Sequence, residues 1–261
     1  MSYTVPQLIW FFFLYGFLGW CVEVIFHAVT KGVFINRGFL IGPICPIYGF
    51  GMVAVLVALQ PIQDNWFLVY LGSVVICSAI ELLVGWVAEK FMHTRLWDYS
   101  NNFCNLGGYI CLKFSLLWGV GCMFIVYLFH PLIFKLVRLI LSIPYTHGYV
   151  LLAILSVTLL TDLIVTGFYA RKLEGHMRAI EDAAKALERL SYGIGDELTD
   201  GTLKVQERRA EAAKQREKLR KLLEQRNPVH RHLLSAFPRL RQTTYRSAFE
   251  RIQAHRKNRK Q

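Results

Sequence analysis

Residues 66–88 read WFLVYLGSVVICSAIELLVGWVA, 23 positions with one charge, Glu81. A helix rises ~1.5 Å per residue, so about 20 apolar residues cross the ~30 Å hydrocarbon core of a bilayer. This run predicts a transmembrane helix. Working outward, comparable runs occupy residues 5–29, 109–129 and 148–169. Another, over 41–59, is interrupted by Pro43, Pro46, Gly49 and Gly51. Residues 131–143 are apolar but carry Lys135 and Arg138, which suits an interfacial helix better than a sixth span. The expected fold class is an all-α membrane protein with about five transmembrane helices and a helical tail.

Charge divides the chain at the same place. Residues 1–170 hold seven Lys/Arg and six Asp/Glu, a net of +1. The following 91 residues hold 23 basic and 12 acidic residues, a net of +11. The expected domains are a membrane domain over 1–172 and a basic tail over 173–261. No Lys or Arg precedes the first run and no small-residue cleavage site follows it, so it is expected to be retained rather than removed as a signal. A tail with this much Lys and Arg is expected on the cytoplasmic side. Counting back five spans places the N-terminus outside. Lys31, Arg37, Lys90 and Arg95 then fall in cytoplasmic loops, and Lys135 and Arg138 are discordant.

In the tail, Met177, Ile180, Ala184, Leu187 and Ser191 step by three and four, the seam of an amphipathic or coiled-coil helix. Glycines over 193–201 break it, residues 202–226 are rich in helix formers, and Pro228 ends that segment. Such a tail can be a solvated arm or a surface drawn to anionic lipid. No nucleic-acid-binding module is present, so nucleic acid is not expected as a partner. Six cysteines lie in or beside apolar runs without metal-ligand spacing and read as small buried hydrophobes.

The first and third runs share a pattern. Gly19-Trp20-x-x-Glu23-x-x-x-His27 recurs as Gly85-Trp86-x-x-Glu89-x-x-x-His93. Beyond it, Gly38-Phe39-Leu40 and Gly49-Phe50-Gly51 recur as Gly108-Tyr109-Ile110 and Gly119-Val120-Gly121, and Tyr48 matches Trp118. This predicts a duplicated two-helix unit, over 8–60 and 74–130, followed by a fifth span over 148–170. Two crossings separate the units, so the repeat is parallel.

Glu and His four apart share one helical face. Glu23, His27, Glu89 and His93, with Asn36, Arg37 and Asp98, form a candidate polar site near the cytoplasmic ends of the spans. Such a cluster could bind a divalent cation, relay protons or meet a cationic substrate group. The ordinary alternative is local pairing, for which Arg37 and Arg95 are available. Glu81 and Asp162 lie deeper; a carboxylate there should face the bundle interior and be paired or protonated. Residues 36–49 are too apolar for an ordinary loop and too rich in Gly and Pro for a continuous helix. They read as a re-entrant or broken start to the second span, or as a turn with Pro46 opening a helix. Trp97-Asp98-Tyr99-Ser100 reads as an interfacial loop with anchoring aromatics. The chain has no P-loop, dinucleotide fingerprint, His-Glu-x-x-His or Gly-x-Ser-x-Gly, so no cofactor and no established catalytic constellation is expected.

Tyr15-Gly16-Phe17-Leu18-Gly19-Trp20-x-x-Glu23, Asn36-Arg37-Gly38-Phe39-Leu40-x-Gly42-Pro43-x-Cys45-Pro46-Ile47-Tyr48-Gly49-x-Gly51, Glu81, Glu89, Trp97-Asp98-Tyr99-Ser100 and Asn105-x-x-Gly108-x-Ile110-Cys111-Leu112 resemble the bacterial family labelled Putative ABC-transporter type IV, permease-like membrane proteins. The resemblance covers about residues 8–170 and excludes the tail. It implies a multi-pass permease component in the cell membrane, moving an unspecified solute with a separate ATPase subunit, and leaves a homo-oligomer open. Two alternatives are a scaffold or sensor recruiting partners through the tail and an enzyme working at the cytoplasmic face.

Overall fold

The computed structural model describes residues 3–92, 95–142, 145–196, 202–224 and 227–237. They form two compact units, residues 1–167 and 168–261. Helix α1 covers Val5–Lys31. Its start is fixed by Pro6 in the first turn and by Gln7, whose side chain accepts from the Thr4 N–H at 2.9 Å. It stops at Gly32, whose φ of 68° is left-handed and whose N–H donates to the Ala28 carbonyl.

Residues 32–45 are irregular, and α2 (Pro46–Ala58) begins at Pro46, which lacks the N–H that a helix start would leave unbonded. Helix α3 spans Trp66–Met92. The following loop holds a two-stranded hairpin, β1 (Asn105–Leu106) and β2 (Ile110–Cys111), with Asn105 opposite Cys111. Its turn needs positive φ at Gly107 and Gly108, 60° and 78°. Helix α4 (Leu112–Phe124) follows, then a π turn over Ile125–Phe129, then α5 (His130–Ser142). Thus the stretch 131–143, expected as a separate interfacial helix, continues directly from α4 as far as it is described, to Ser142. The π turn offers the reason: Pro131 has no N–H and its ring crowds the carbonyl four residues back, so widening the preceding turn lets the helix pass through the proline.

Among the described residues four helical stretches are long and apolar enough to cross a membrane: Val5–Thr30, Trp66–Phe91, Leu112–Ser142 and His147–Leu187. Helix α2 is apolar but has only 13 residues. The last stretch belongs to α6 (Tyr145–Asp196), which joins the expected fifth span and the tail seam in one helix.

Within the first unit, α1 packs on α2 and α3 on α4. The α1–α2 approach depends on Gly49, where an added Cβ would lie 2.6 Å from the Phe12 carbonyl oxygen. Ser78 and Ser115 hydrogen bond across α3 and α4 at 2.7 Å. Phe11, Met52, Val55, Leu56, Cys122 and Val126 are buried in the core, while Phe26, Val75, Leu83, Val120, Ile154 and Val157 face outward. In a bilayer those outward residues meet lipid, which is as apolar as they are.

The second unit has its own core of Leu173, Met177, Ile180, Leu219, Leu233 and Ala236. It contains the end of α6, α7 (Thr202–Glu224) and α8 (Pro228–Ala236). Pro228 opens α8, after Asn227, whose side chain accepts from the Val229 and His230 N–H groups. Met177, Ile180 and Ala184 of the expected seam are buried.

Candidate functional site

The irregular segment 32–45 is held by side chains that accept from its backbone. Asn36 Oδ1 accepts from the Trp20 indole N–H at 2.8 Å and the Gly38 N–H at 3.0 Å. Asn36 Nδ2 donates to the Ile41 carbonyl at 2.8 Å. Asp162, on α6, accepts from the Ile41 and Gly42 N–H groups at 3.2 and 2.8 Å and from the Thr166 hydroxyl at 3.0 Å. Cys45 N–H donates to the Gly16 carbonyl of α1 at 2.9 Å. The deep carboxylate Asp162 therefore satisfies backbone that a helix would have paired internally.

The loop after α3 forms a second polar knot. Arg95 Nε donates to Glu89 at 2.9 Å, and its guanidinium lies 3.5 Å from Asp98 and over the Tyr109 ring. Asp98 also accepts from the Ser100 N–H and hydroxyl. The Glu89 carboxylate, hydrogen bonding first and charge after, raises the Tyr109 hydroxyl above the usual tyrosine range. Trp97 donates through its indole to the Tyr109 carbonyl at 2.9 Å. Glu89 thus takes the local arginine partner.

Two further carboxylates are held by tyrosines. Glu23, on α1, accepts from the Tyr48 hydroxyl at 2.7 Å. Glu81, on α3, accepts from the Tyr99 hydroxyl at 3.0 Å. Glu81 is 7% exposed, and its Oε2 is buried with no hydrogen-bond partner. The Trp118 indole interacts with the same carboxyl, and its ring meets that of Tyr48 edge to face at 5.7 Å. Tyr99 stacks on Phe114 at 4.8 Å. Glu81 lies eleven positions before the end of α3, about 16 Å along the axis.

The sequence candidates fall into separate roles. Glu23 and Glu89 have different partners, the Tyr48 hydroxyl and the Arg95 guanidinium. His27 and Arg37 are half-buried, one on α1 and one in the irregular segment, while His93 lies outside the described residues. Among the described residues no group of three or more His, Cys, Asp and Glu is placed to hold a metal ion. Tyr48 and Trp118 stood out in the sequence only as matched aromatics, and Tyr99 only as an anchor; the structure turns all three toward the carboxylates.

Two further clusters had no sequence signal. His130, buried at the start of α5, sits 2.9 Å from both the Tyr3 and Tyr15 hydroxyls. Cys77 on α3 and Cys122 on α4 have sulfurs 3.4 Å apart, with Met52 Sδ 3.9 Å from Cys122. Their partners lie between 45 and 127 positions away, where no local pattern connects them.

A bundle of membrane-length apolar helices with lipid-compatible outer faces and acidic side chains turned inward is a multi-pass membrane protein. More particularly, the chain belongs to the family described as Putative ABC-transporter type IV, which matches over residues 10–167. No curated protein and no solved structure matches it.

Proposed function

We propose that this chain is the membrane-spanning component of a transporter that works with a separate ATPase subunit, with its solute path passing Glu23 and Glu81. Family membership supports the transporter class, and the sequence has no P-loop with which to use ATP itself. The observation that carries the path is Glu81: an acidic side chain deep in α3, nearly fully buried, with one oxygen left without a partner. Intramembrane carboxylates are costly and commonly mark substrate or ion routes. The duplicated unit, tail-inside orientation and cytoplasmic coupling loops complete the proposal; the charge distribution of the loops and tail supports that orientation.

The test has two parts. Purification in mild detergent from the native host should bring down an ATPase subunit. Uptake or export dependent on this chain should fall at least tenfold in Glu81→Gln. A pulldown without any ATPase would overturn the proposal.

A second reading, a scaffold that recruits partners through the tail, is favoured by the tail's own helical core beneath a basic exterior. Removal of residues 173–261 with full retention of activity would overturn it.

A further inference from the structure

Glu23 on α1 and Glu81 on α3 are acidic groups held by neutral neighbours. Among the described residues neither carboxylate forms an ion pair with Lys, Arg or His. Among the described residues their hydrogen-bond donors are neutral hydroxyls, Tyr48 on Glu23 and Tyr99 on Glu81. Arg95, the nearest guanidinium in the adjoining loop, is engaged by Glu89 and Asp98. Glu23 is half-buried, but Glu81 is 7% exposed, and an anionic carboxylate that deeply buried requires a compensating charge.

The chemistry of the missing partner follows from what is already used. Tyr48 and Tyr99 donate, and Glu81 Oε2 has the Trp118 indole beside it but no donor within hydrogen-bonding geometry, so what remains there is acceptor capacity. The partner must bring N–H or O–H groups and positive charge. A proton on Oε2 would cancel the charge but would create a buried O–H with no acceptor in turn. A hard metal ion calls for about six to eight oxygens, and the two hydroxyls here are already turned as donors to carboxylates. The aromatic groups favour a different cation. Tyr48 and Trp118 meet edge to face, and Tyr99 stacks on Phe114, so carboxylates and π-systems share one region. Carboxylate plus aromatic surface is the combination that recognises organic ammonium groups.

We propose that Glu23 and Glu81, with Tyr48, Tyr99 and Trp118, form a binding site for a primary organic ammonium group. Glu81 Oε2 takes an ammonium N–H and balances its charge, Glu23 holds the Tyr48 hydroxyl, and the aromatic rings supply π surface to the cation. The assignment rests on the transport reading only in treating this ligand as the solute; binding itself requires no ATPase.

Equilibrium dialysis tests it. Purified full-length protein in maltoside micelles is dialysed against radiolabelled n-propylammonium, with tetramethylammonium and Na⁺ as competitors at equal ionic strength. The expected result is saturable binding that tetramethylammonium, lacking N–H, displaces at least tenfold less well than unlabelled propylammonium, and that Na⁺ does not displace. Glu81→Gln should weaken binding at least tenfold, whereas Glu217→Gln on α7 should leave it unchanged. If Glu81→Gln does not yield monodisperse protein, Trp118→Leu carries the test, with several-fold weaker binding expected. Absence of saturable binding, wild-type binding in Glu81→Gln or Trp118→Leu, equal displacement by tetramethylammonium, or displacement by Na⁺ would each overturn the assignment. Recovery of an ATPase without ammonium binding defeats this inference and leaves the transport reading standing; binding without an ATPase does the reverse.

Discussion

Asp162 accepts from three donors, two of them backbone N–H groups of a segment about 120 positions earlier. An asparagine offers one oxygen where the carboxylate offers two, and turns an amide NH₂ toward the other donor. Asp162→Asn should therefore leave at least one backbone N–H without an acceptor. The expected cost is about 1–3 kcal/mol. It should read out as a lower Tm in detergent and as faster maleimide labelling of Cys45, which is buried at the end of the segment. Unchanged Tm and unchanged Cys45 labelling would remove Asp162 from that role. Sequence reading identified Asp162 as a deep carboxylate needing a partner, but the partner is a backbone that only folding brings near. Glu81 shows the same split: its depth was legible in the run 66–88, its tyrosine was not.

At the scale of elements, α2 illustrates how one residue sets a helix–helix distance. Gly49 leaves no room for a side chain between α2 and α1, since its Cβ would meet the Phe12 carbonyl, part of a rigid helix backbone. Gly51, two positions on, faces open space. Gly49→Ala should destabilise the protein by about 1–3 kcal/mol through overpacking. Gly51→Ala should be neutral or stabilise by up to about 1 kcal/mol through helix propensity. Thermal unfolding of the two variants side by side checks this, and equal effects would contradict the packing account. Both glycines belong to the repeated sequence blocks, so pattern marked them equally; only the facing helix separates them.

At the scale of the molecule, the second unit carries a pH dependence of its own. Burial, foremost, holds His176 and His230 below the usual histidine value of 6.5, with their rings 5.8 Å apart. Both are then neutral in the folded unit when the unfolded chain would already take up protons. The stability from burying neutral imidazoles is fully present above pH 6.5 and is lost as pH falls below it toward the folded values. Hydrogen exchange of the α8 amides, corrected for intrinsic pH effects, should accelerate between pH 7.5 and about 5.5, the window set by the ordinary histidine pKa. His230→Phe should flatten that response, and an unchanged exchange profile across the window would contradict it.

The sequence by itself determined the class of the molecule. Hydropathy and charge are carried by consecutive residues, so membrane-length helices, an interrupted segment before Pro46 and a basic tail all follow from local composition. Tertiary structure decided the rest. It joined α4 to α5 through a π turn and gave the tail a core of its own. It also gave Glu89 to Arg95, Glu23 to Tyr48 and Glu81 to Tyr99. These are choices among partners, and a buried polar group selects its partner by distance and direction in space. Two residues far apart in the chain acquire that distance only when the helices carrying them pack.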